Sequence, residues 1–439
     1  MKTIKKIHFI GIGGISMCAL AQILKKKGYI ITGSDIDDQQ VKFLNDKGIK
    51  TFLGHKKSNI KKDIDVVVVS SSISSDNPEV LKAQSLKIKI INRGELLGLF
   101  SKSYKNVIAV SGSHGKTTTT SMIFEIFKVA NLEPTVHVGG IIRSINSNFF
   151  LGKDDFFITE ACEFKDNFLY LKPTVSVITN IEPEHMEYFK TKKHLYKSFK
   201  TFANNSNFVV CKNKIAHKNK IHIGKMGYNS RDLVLCEDGC YKFKIFNKNK
   251  FLFEIKLNIV GQYNVENAVM ACAVAKHYKI KNKDIKTALE NFDGVQRRFD
   301  IISSNPKIIH DYAHHPSELK AVINATKFWT LGKLIVVFQP HTYTRTKTLM
   351  DEFMNCFNCC DLLVIIKTYS AREKEVIGGR AIDLYENLKN TGKFNGKILY
   401  FDDFDSTENF LNNFIKSKDN VLFLGAGNIE RLAQRWKST

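Results

Sequence analysis

The chain has 439 residues, 43% of them apolar and 25% charged. That composition excludes a disordered chain, a collagen-like repeat and a small disulfide scaffold, and it supplies core for about three domains. Lys and Arg number 66 against 43 Asp and Glu, a net charge of +23, but only 10 of those cations are Arg and the lysines are scattered among Asn and Ile.

Nucleic-acid sites favour Arg forks and stacking aromatics interleaved with basic residues. The charge therefore reads as a Lys-rich solvated surface suited to anionic small substrates, with no nucleic-acid partner. No run reaches the ~18 to 20 apolar residues of a membrane span. MKTIKKIHFIGIGG enters a strand directly, so the expectation is a cytoplasmic protein without membrane insertion. The nine Cys are irregularly spaced, with a lone CxxC at Cys356 and Cys359 in the helical-looking LMDEFMNCFNCCD. Buried thiols are expected there rather than zinc or a disulfide.

In chain order, KIHFIGIGG is a strand and glycine turn, ISMCALAQILKKKG an amphipathic helix, and YIITGSD a second strand ending in Asp35. DVVVVSS and IKIIN continue an alternation that predicts a parallel sheet with helices on its faces. A second block opens with NVIAVSGSHGKTTTTSMIFEIFKV, again strand, glycine loop, helix, and runs through FFITEACE and TVSVITNIEPEH to a long helix in GQYNVENAVMACAVAKHY. Its middle, near Phe208 to Val260, carries short β-like runs such as YKFKIF and FLFEIKL. After GVQRRFD a third block shows strands at KIIHDY, LIVVFQP, DLLVIIKTY, KILYF and NVLFLGAG.

SGSHGKTT, Ser111 to Thr118, lies between a strand and a helix, the context a phosphate loop requires. Gly112 and Gly115 let backbone N–H groups approach phosphate oxygens, Lys116 reaches the terminal phosphates, and the Thr117 hydroxyl suits Mg²⁺. The spacing departs from G-x-x-x-x-G-K-[ST], since Val110 and Ser111 stand where the first glycine would fall. GIGGIS, Gly11 to Ser16, is less specific. With Asp35 at the next strand end, such a turn binds NAD, FAD or another nucleotide's diphosphate, or simply packs a helix. Glu160 and His185 follow strands flanking the phosphate loop, where a carboxylate and an imidazole hold Mg²⁺. DYAHHPSE and FQPHTYTRTK place His and Arg at strand ends, and Arg345 is suited to a carboxylate.

Taken together, IHFIGIGG, SGSHGKTTTT, TEACE, TNIEPEH, GQYNVENA, GVQRRFD, DYAHHPSE and FQPHTYTRTK occur in the order seen in Mur ligases, and the resemblance runs from Ile7 to Gly427. It implies a three-domain α/β architecture: a Rossmann-like N-terminal domain for a UDP-sugar (1–104), a central P-loop ATPase domain (105–296) and a Rossmann-like C-terminal domain for an amino acid (297–439). It also implies ligation of L-alanine to the lactyl carboxylate of UDP-N-acetylmuramate, with ATP and Mg²⁺, by a monomer or weak homodimer. By the same resemblance Gly11, Gly13, Gly14, Ser34, Asp35 and Ser71 serve the UDP-sugar, while Gly112, Ser113, His114, Gly115, Lys116, Thr117 and Thr118 cradle ATP. Asn264 and Asn267 are the adenine contacts, Arg298 and Asp311 meet phosphate and ribose, and His314, His341 and Arg345 face alanine. Thr117, Glu160 and His185 are the metal residues, and Lys116, Glu160, His185 and Arg298 the catalytic ones. Some family members use a carbamylated lysine downstream of the metal histidine, a region that here holds Lys197 and Lys200. Two positions depart from the family pattern: Ser16 stands where GIGGxGM has glycine, and Cys162 where many relatives read EADE. A ligase adding a preformed tripeptide to the same sugar nucleotide is the alternative within the class, and FQPHTYTRT speaks against it. A nicotinamide oxidoreductase built on GIGGIS would leave the phosphate loop unexplained.

Overall fold

The computed structural model describes residues 4–212, 215–371 and 373–437. It divides into two compact units, one of Met1–Asn229, Ile245–Phe253 and Asn267–Leu289, the other of Ser230–Lys244, Glu254–Glu266 and Glu290–Thr439. The first unit contains two of the three predicted parallel sheets. Among the described residues, no helix is long and apolar enough to cross a membrane.

The first sheet has the order Lys50–Leu53, Ile30–Asp35, Lys6–Ile10, Val66–Val69, Lys89–Asn92, with every pairing parallel. Strand order reverses beside Lys6–Ile10, and a doubly wound sheet opens its ligand crevice at such a switch, beyond the strand C-termini. Gly11 sits there at φ 78°, a left-handed conformation that glycine adopts without Cβ strain. A Cβ on Gly11 would also lie 3.0 Å from the Cβ of Ser70.

The second sheet places Asn106–Ser111 between Lys153–Glu160 and Val175–Ile178, again in parallel. Its edge adds a feature the periodicity did not reveal: Pro134–Ile142 is paired antiparallel with Ser147–Phe150. The two sheets share apolar core within this unit. Phe157 packs edge-on against Phe100, ring centroids 5.2 Å apart, and stacks on Tyr104 at 5.1 Å. The helix Arg93–Ser101 that carries Phe100 lies so close to Tyr170 that a Cβ on Gly98 would sit 2.9 Å from the Tyr170 carbonyl carbon.

In the second unit the sheet runs Asp300–Ser304, Lys307–Asp311, Asn420–Leu424, Leu334–Phe338, Leu362–Ile366, Lys397–Phe401. Only the first pairing is antiparallel; that edge strand was not legible in the sequence. The helix expected through the cysteine run stops early, at Met354, and the thiols follow it in turns. All nine cysteines are free; Cys356 and Cys360 are buried and Cys359 is exposed. Exchanging a mid-helix glycine for alanine ordinarily stabilises a helix by up to ~1 kcal/mol. Gly98→Ala should do the opposite and cost about 1–3 kcal/mol through overpacking against Tyr170, read as a lower urea midpoint at unchanged slope. A stabilised variant would show that this contact yields freely.

Candidate active site

The phosphate loop follows the strand Asn106–Ser111 and ends on the helix Lys116–Val129, whose N-cap Gly115 has φ 81°. Gly112, at φ 134°, leaves no room for a Cβ beside the Thr179 hydroxyl. The loop is braced from the strand Val175–Ile178 next door. The His114 N–H donates to Asn180 Oδ1 at 2.9 Å, the Glu182 N–H donates to Ser113 Oγ at 2.9 Å, and the Thr179 hydroxyl donates to the His114 carbonyl at 2.5 Å. Thr117 and Thr118 are buried in the first helical turn. Such a loop presents N–H groups at a helix N-terminus, an arrangement suited to a polyphosphate.

Lys116 donates to the carbonyls of Gly112 and Ser113 and to Glu163 Oε1, the last at 3.2 Å. Burial opposes its charge. Glu163, Glu184 and Glu160 outweigh that effect and hold the amine above the ordinary lysine range. The ammonium is therefore charged at neutral pH.

His185 is the N-cap of a short helix, held in the left-handed region at φ 55°. Phe164 packs against its ring with centroids 4.7 Å apart. Glu163, Glu184 and His185 each offer one ligand atom, all within 4.8 Å of one another. Glu163 is buried, and its Oε2 has no hydrogen-bond partner among the described residues. A buried carboxylate oxygen left unsatisfied beside a second acid and an imidazole is a donor set that fits a hard divalent cation. The sequence pointed to Glu160 instead. Its Oε1 accepts the Gly139 N–H at 2.7 Å, so it lies at the strand end as expected but is not part of the group closing round His185. Glu163 and Glu184 were missed. The signals were present, three residues after Glu160 in EACE and directly before His185 in EPEH. Lys197 and Lys200 lie on the exposed face of the helix Lys192–Asn204.

Asn267 is buried against the loop. The Thr119 hydroxyl donates to its Oδ1 at 3.2 Å, and a Cβ on Gly115 would meet that oxygen at 2.6 Å. In the first sheet, Gly13 donates its N–H to Asp35 Oδ2 at 2.7 Å, so Asp35 holds the glycine turn. Gly14 caps the helix Ile15–Lys26. Ser34 is fully buried and donates to Glu79, whose other oxygen accepts from Asn59; His8 and His55 flank the same carboxylate at 3.8 and 3.4 Å. Burial opposes ionisation of Glu79, and the nearby His8 imidazole with the hydrogen bonds from Ser34 and Asn59 lowers its pKa nonetheless. Ser71 is exposed just past Val66–Val69.

In the second unit Asn264 donates from Nδ2 to the Val260 carbonyl at 2.8 Å. Asp311 accepts the N–H groups of Phe299 and Ala313, both at 2.7 Å, and burial raises its pKa to about 6. Arg298 lies over the Tyr312 ring, 5.0 Å from its centroid, with Glu318 at 3.9 Å. The three residues expected to face an amino acid converge: the His314 and His341 rings are 5.8 Å apart, and Arg345 Nη1 lies 3.1 Å from His341 Nδ1. Burial and the neighbouring His314 and Arg345 push His341 down to about 3, so it is neutral and Arg345 carries the positive charge. The turn LGAGNI near the C-terminus is packed by protein: a Cβ on Gly427 would meet Gln339 Oε1 at 2.5 Å and the Tyr369 ring at 2.6 Å.

Comparison with known proteins agrees along the whole length. The Mur ligase family catalytic domain matches residues 6–105, the Mur ligase middle domain 110–275, and the Mur ligase glutamate ligase domain 297–427. UDP-N-acetylmuramate–L-alanine ligase of Clostridium botulinum is 39% identical over 449 aligned positions, covering 98% of this chain and 97% of the relative. The crystal structure of UDP-N-acetylmuramate-alanine ligase from Thermotoga maritima superposes with a TM-score of 0.84 at 27% identity, covering 98% of both chains. A murein peptide ligase from Psychrobacter arcticus shares the fold, with a TM-score of 0.71 at 18% identity over 98% of both chains. The chain belongs to the Mur ligase family.

Proposed function

We propose that this chain is an ATP-dependent ligase of the cytoplasm that joins L-alanine to the lactyl carboxylate of UDP-N-acetylmuramate in peptidoglycan precursor synthesis. The observation that carries the ligase reading is the charged Lys116 set in a braced phosphate loop beside Glu163, Glu184 and His185. The 39% identity to an L-alanine ligase over nearly the full chain favours alanine over a preformed tripeptide. The domain division that goes with this reading is 1–104 for the sugar nucleotide, 105–296 for ATP and 297–439 for the amino acid.

A carboxylate is a poor electrophile and must be activated before an amine can displace oxygen from it. A lactyl carboxylate oxygen attacks the γ-phosphorus and ADP departs, leaving an acyl phosphate. The neutral amine of L-alanine then attacks the acyl carbon, inorganic phosphate leaves, and the amine nitrogen loses its proton. Charge spreads over the equatorial oxygens of the transferring phosphoryl group, so catalysis is mostly positioning and electrostatic stabilisation. Lys116 supplies a fixed cation to those oxygens, and the N–H groups from Gly112 to Thr117 hold the polyphosphate. Glu163, Glu184 and His185 would hold Mg²⁺, with Thr117 and Glu160 as the further residues assigned to metal. The ion supplies positive charge against the phosphates. His341 accepts a hydrogen bond from Arg345 and so orients the guanidinium for the alanine carboxylate.

Lys116→Ala should lower kcat by a hundredfold or more, equivalent to ~3 kcal/mol of transition-state stabilisation, with binding of the sugar nucleotide retained. A variant keeping a third of the wild-type rate would refute the assignment. Glu163→Gln and His185→Ala should each raise the Mg²⁺ concentration needed for half-maximal rate. A shift with Glu160→Gln but not with Glu163→Gln would move the metal to the strand end. Arg345→Ala should raise KM for alanine at least tenfold while KM for ATP changes little, since a charge-assisted hydrogen bond is worth ~1.5–3 kcal/mol. Phosphate release faster with L-Ala-γ-D-Glu-meso-diaminopimelate than with L-alanine would establish the tripeptide ligase instead.

A further inference from the structure

Arg93 has no place in the chemistry described so far. It is the first residue of the helix Arg93–Ser101, directly after the strand Lys89–Asn92 and thus at the C-terminal edge of the first sheet. A cation there is opposed by the positive end of the helix dipole. It is half-buried, and among the described residues no carboxylate lies within ion-pairing distance of its guanidinium. Taking a charge out of water without an opposite charge is costly, and among the described residues a single hydroxyl, not a carboxylate, meets this one.

The side chain is nevertheless held in one place. Its Nη1 donates to Ser16 Oγ at 3.1 Å. Ser16 Oγ lies 2.9 Å from His137 Nε2, and His137 Nδ1 lies 3.0 Å from Thr159 Oγ1. The Thr159 hydroxyl in turn donates to the Glu160 carbonyl at 3.0 Å. The donor order follows from its two ends. Thr159 spends its proton on the carbonyl, so it accepts from His137 Nδ1–H; Nε2 then accepts the Ser16 proton, and the serine oxygen accepts from Arg93. This order requires a neutral imidazole. Burial, together with the charge of Arg93, pushes His137 down to about 3.

Ser16, one of the two positions at which the chain departs from the family pattern, is the residue that holds this arginine. With no carboxylate in ion-pairing reach among the described residues, the positive charge of Arg93 is met within the first unit by the Ser16 hydroxyl.

We infer that Arg93, oriented by the chain Ser16–His137–Thr159, is a binding residue for an anionic oxygen of the sugar nucleotide. This rests on the reaction proposed above, whose acceptor carries two anionic groups, the diphosphate and the lactyl carboxylate. Either presents the same oxygen chemistry to a guanidinium fork.

The test is titration calorimetry of UDP-N-acetylmuramate, UDP-N-acetylglucosamine (which lacks the lactyl group) and an ATP analogue into wild type, Arg93→Gln, Arg93→Lys and Ser16→Ala. Arg93→Gln should weaken UDP-N-acetylmuramate at least tenfold while leaving the ATP analogue and the melting temperature near wild type. Arg93→Lys should recover part of the loss, and Ser16→Ala should give a smaller one. Loss confined to UDP-N-acetylmuramate assigns Arg93 to the carboxylate; equal loss with both sugar nucleotides assigns it to the diphosphate. Unchanged affinity for both, or loss of ATP-analogue binding and melting temperature together, overturns the inference in favour of a packing role. The underlying reading fails separately, if the wild type itself neither binds nor turns over UDP-N-acetylmuramate. A preference for tripeptide over alanine would leave the inference about Arg93 standing, because both ligases take the same sugar nucleotide.

Discussion

The ion pair between Lys116 and Glu163 is the contact round which the site is organised. Lys116 begins a helix and would repel the positive end of its dipole, yet the loop folds so that two of its own carbonyls and one buried carboxylate receive the ammonium. A negative charge at Glu163 alone would be expensive to bury. A positive charge at Lys116 alone would open the loop. Together they fix the ammonium at the loop and leave Glu163 Oε2 without a hydrogen-bond partner among the described residues. The braces from Thr179, Asn180 and Glu182 matter because they hold the glycine loop in the shape that lets this pair form.

The same logic recurs at the first sheet, with opposite sign. Glu79 is wholly buried beneath the glycine turn and is kept ionised by hydrogen bonds from its neighbours. Ser34, whose side chain belongs to that network, also accepts the N–H groups of Gly11 and Ile12 through its carbonyl. The turn is thus shaped from below by a buried acid and from the side by Asp35. Ser34 and Asp35 therefore act on the glycine turn by holding its backbone.

In the second unit, burial separates the roles of neighbouring basic groups. His341 is stacked on Tyr369 and stays neutral, while the Arg345 guanidinium beside it carries the positive charge. The neutral imidazole accepts a hydrogen bond from Arg345 and fixes the direction of its guanidinium. Tyr312 does similar work for Arg297 and Arg298, each of which lies over its ring at 5.0 Å.

Much of this could be read from the linear chain. Strand, glycine loop and helix are local patterns, set by backbone sterics and apolar periodicity over a few residues, so the parallel sheets, the phosphate loop and the strand-end positions of Glu160, Asp311 and His341 were legible. Edge pairings were not: Pro134–Ile142 with Ser147–Phe150, and Asp300–Ser304 with Lys307–Asp311, depend on a neighbour to complete a half-satisfied backbone. Nor could spacing choose between Glu160 and Glu163. Both lie in one four-residue motif, and which carboxylate turns toward His185 depends on how the chain bends after the strand. Arg93 gave no signal at all, because its significance is an absence of countercharge together with a hydroxyl brought from 77 residues away. Local chemistry is written in the order of residues, whereas the electrostatic balance of a charge depends on everything that folding places around it, and only the tertiary structure decides that.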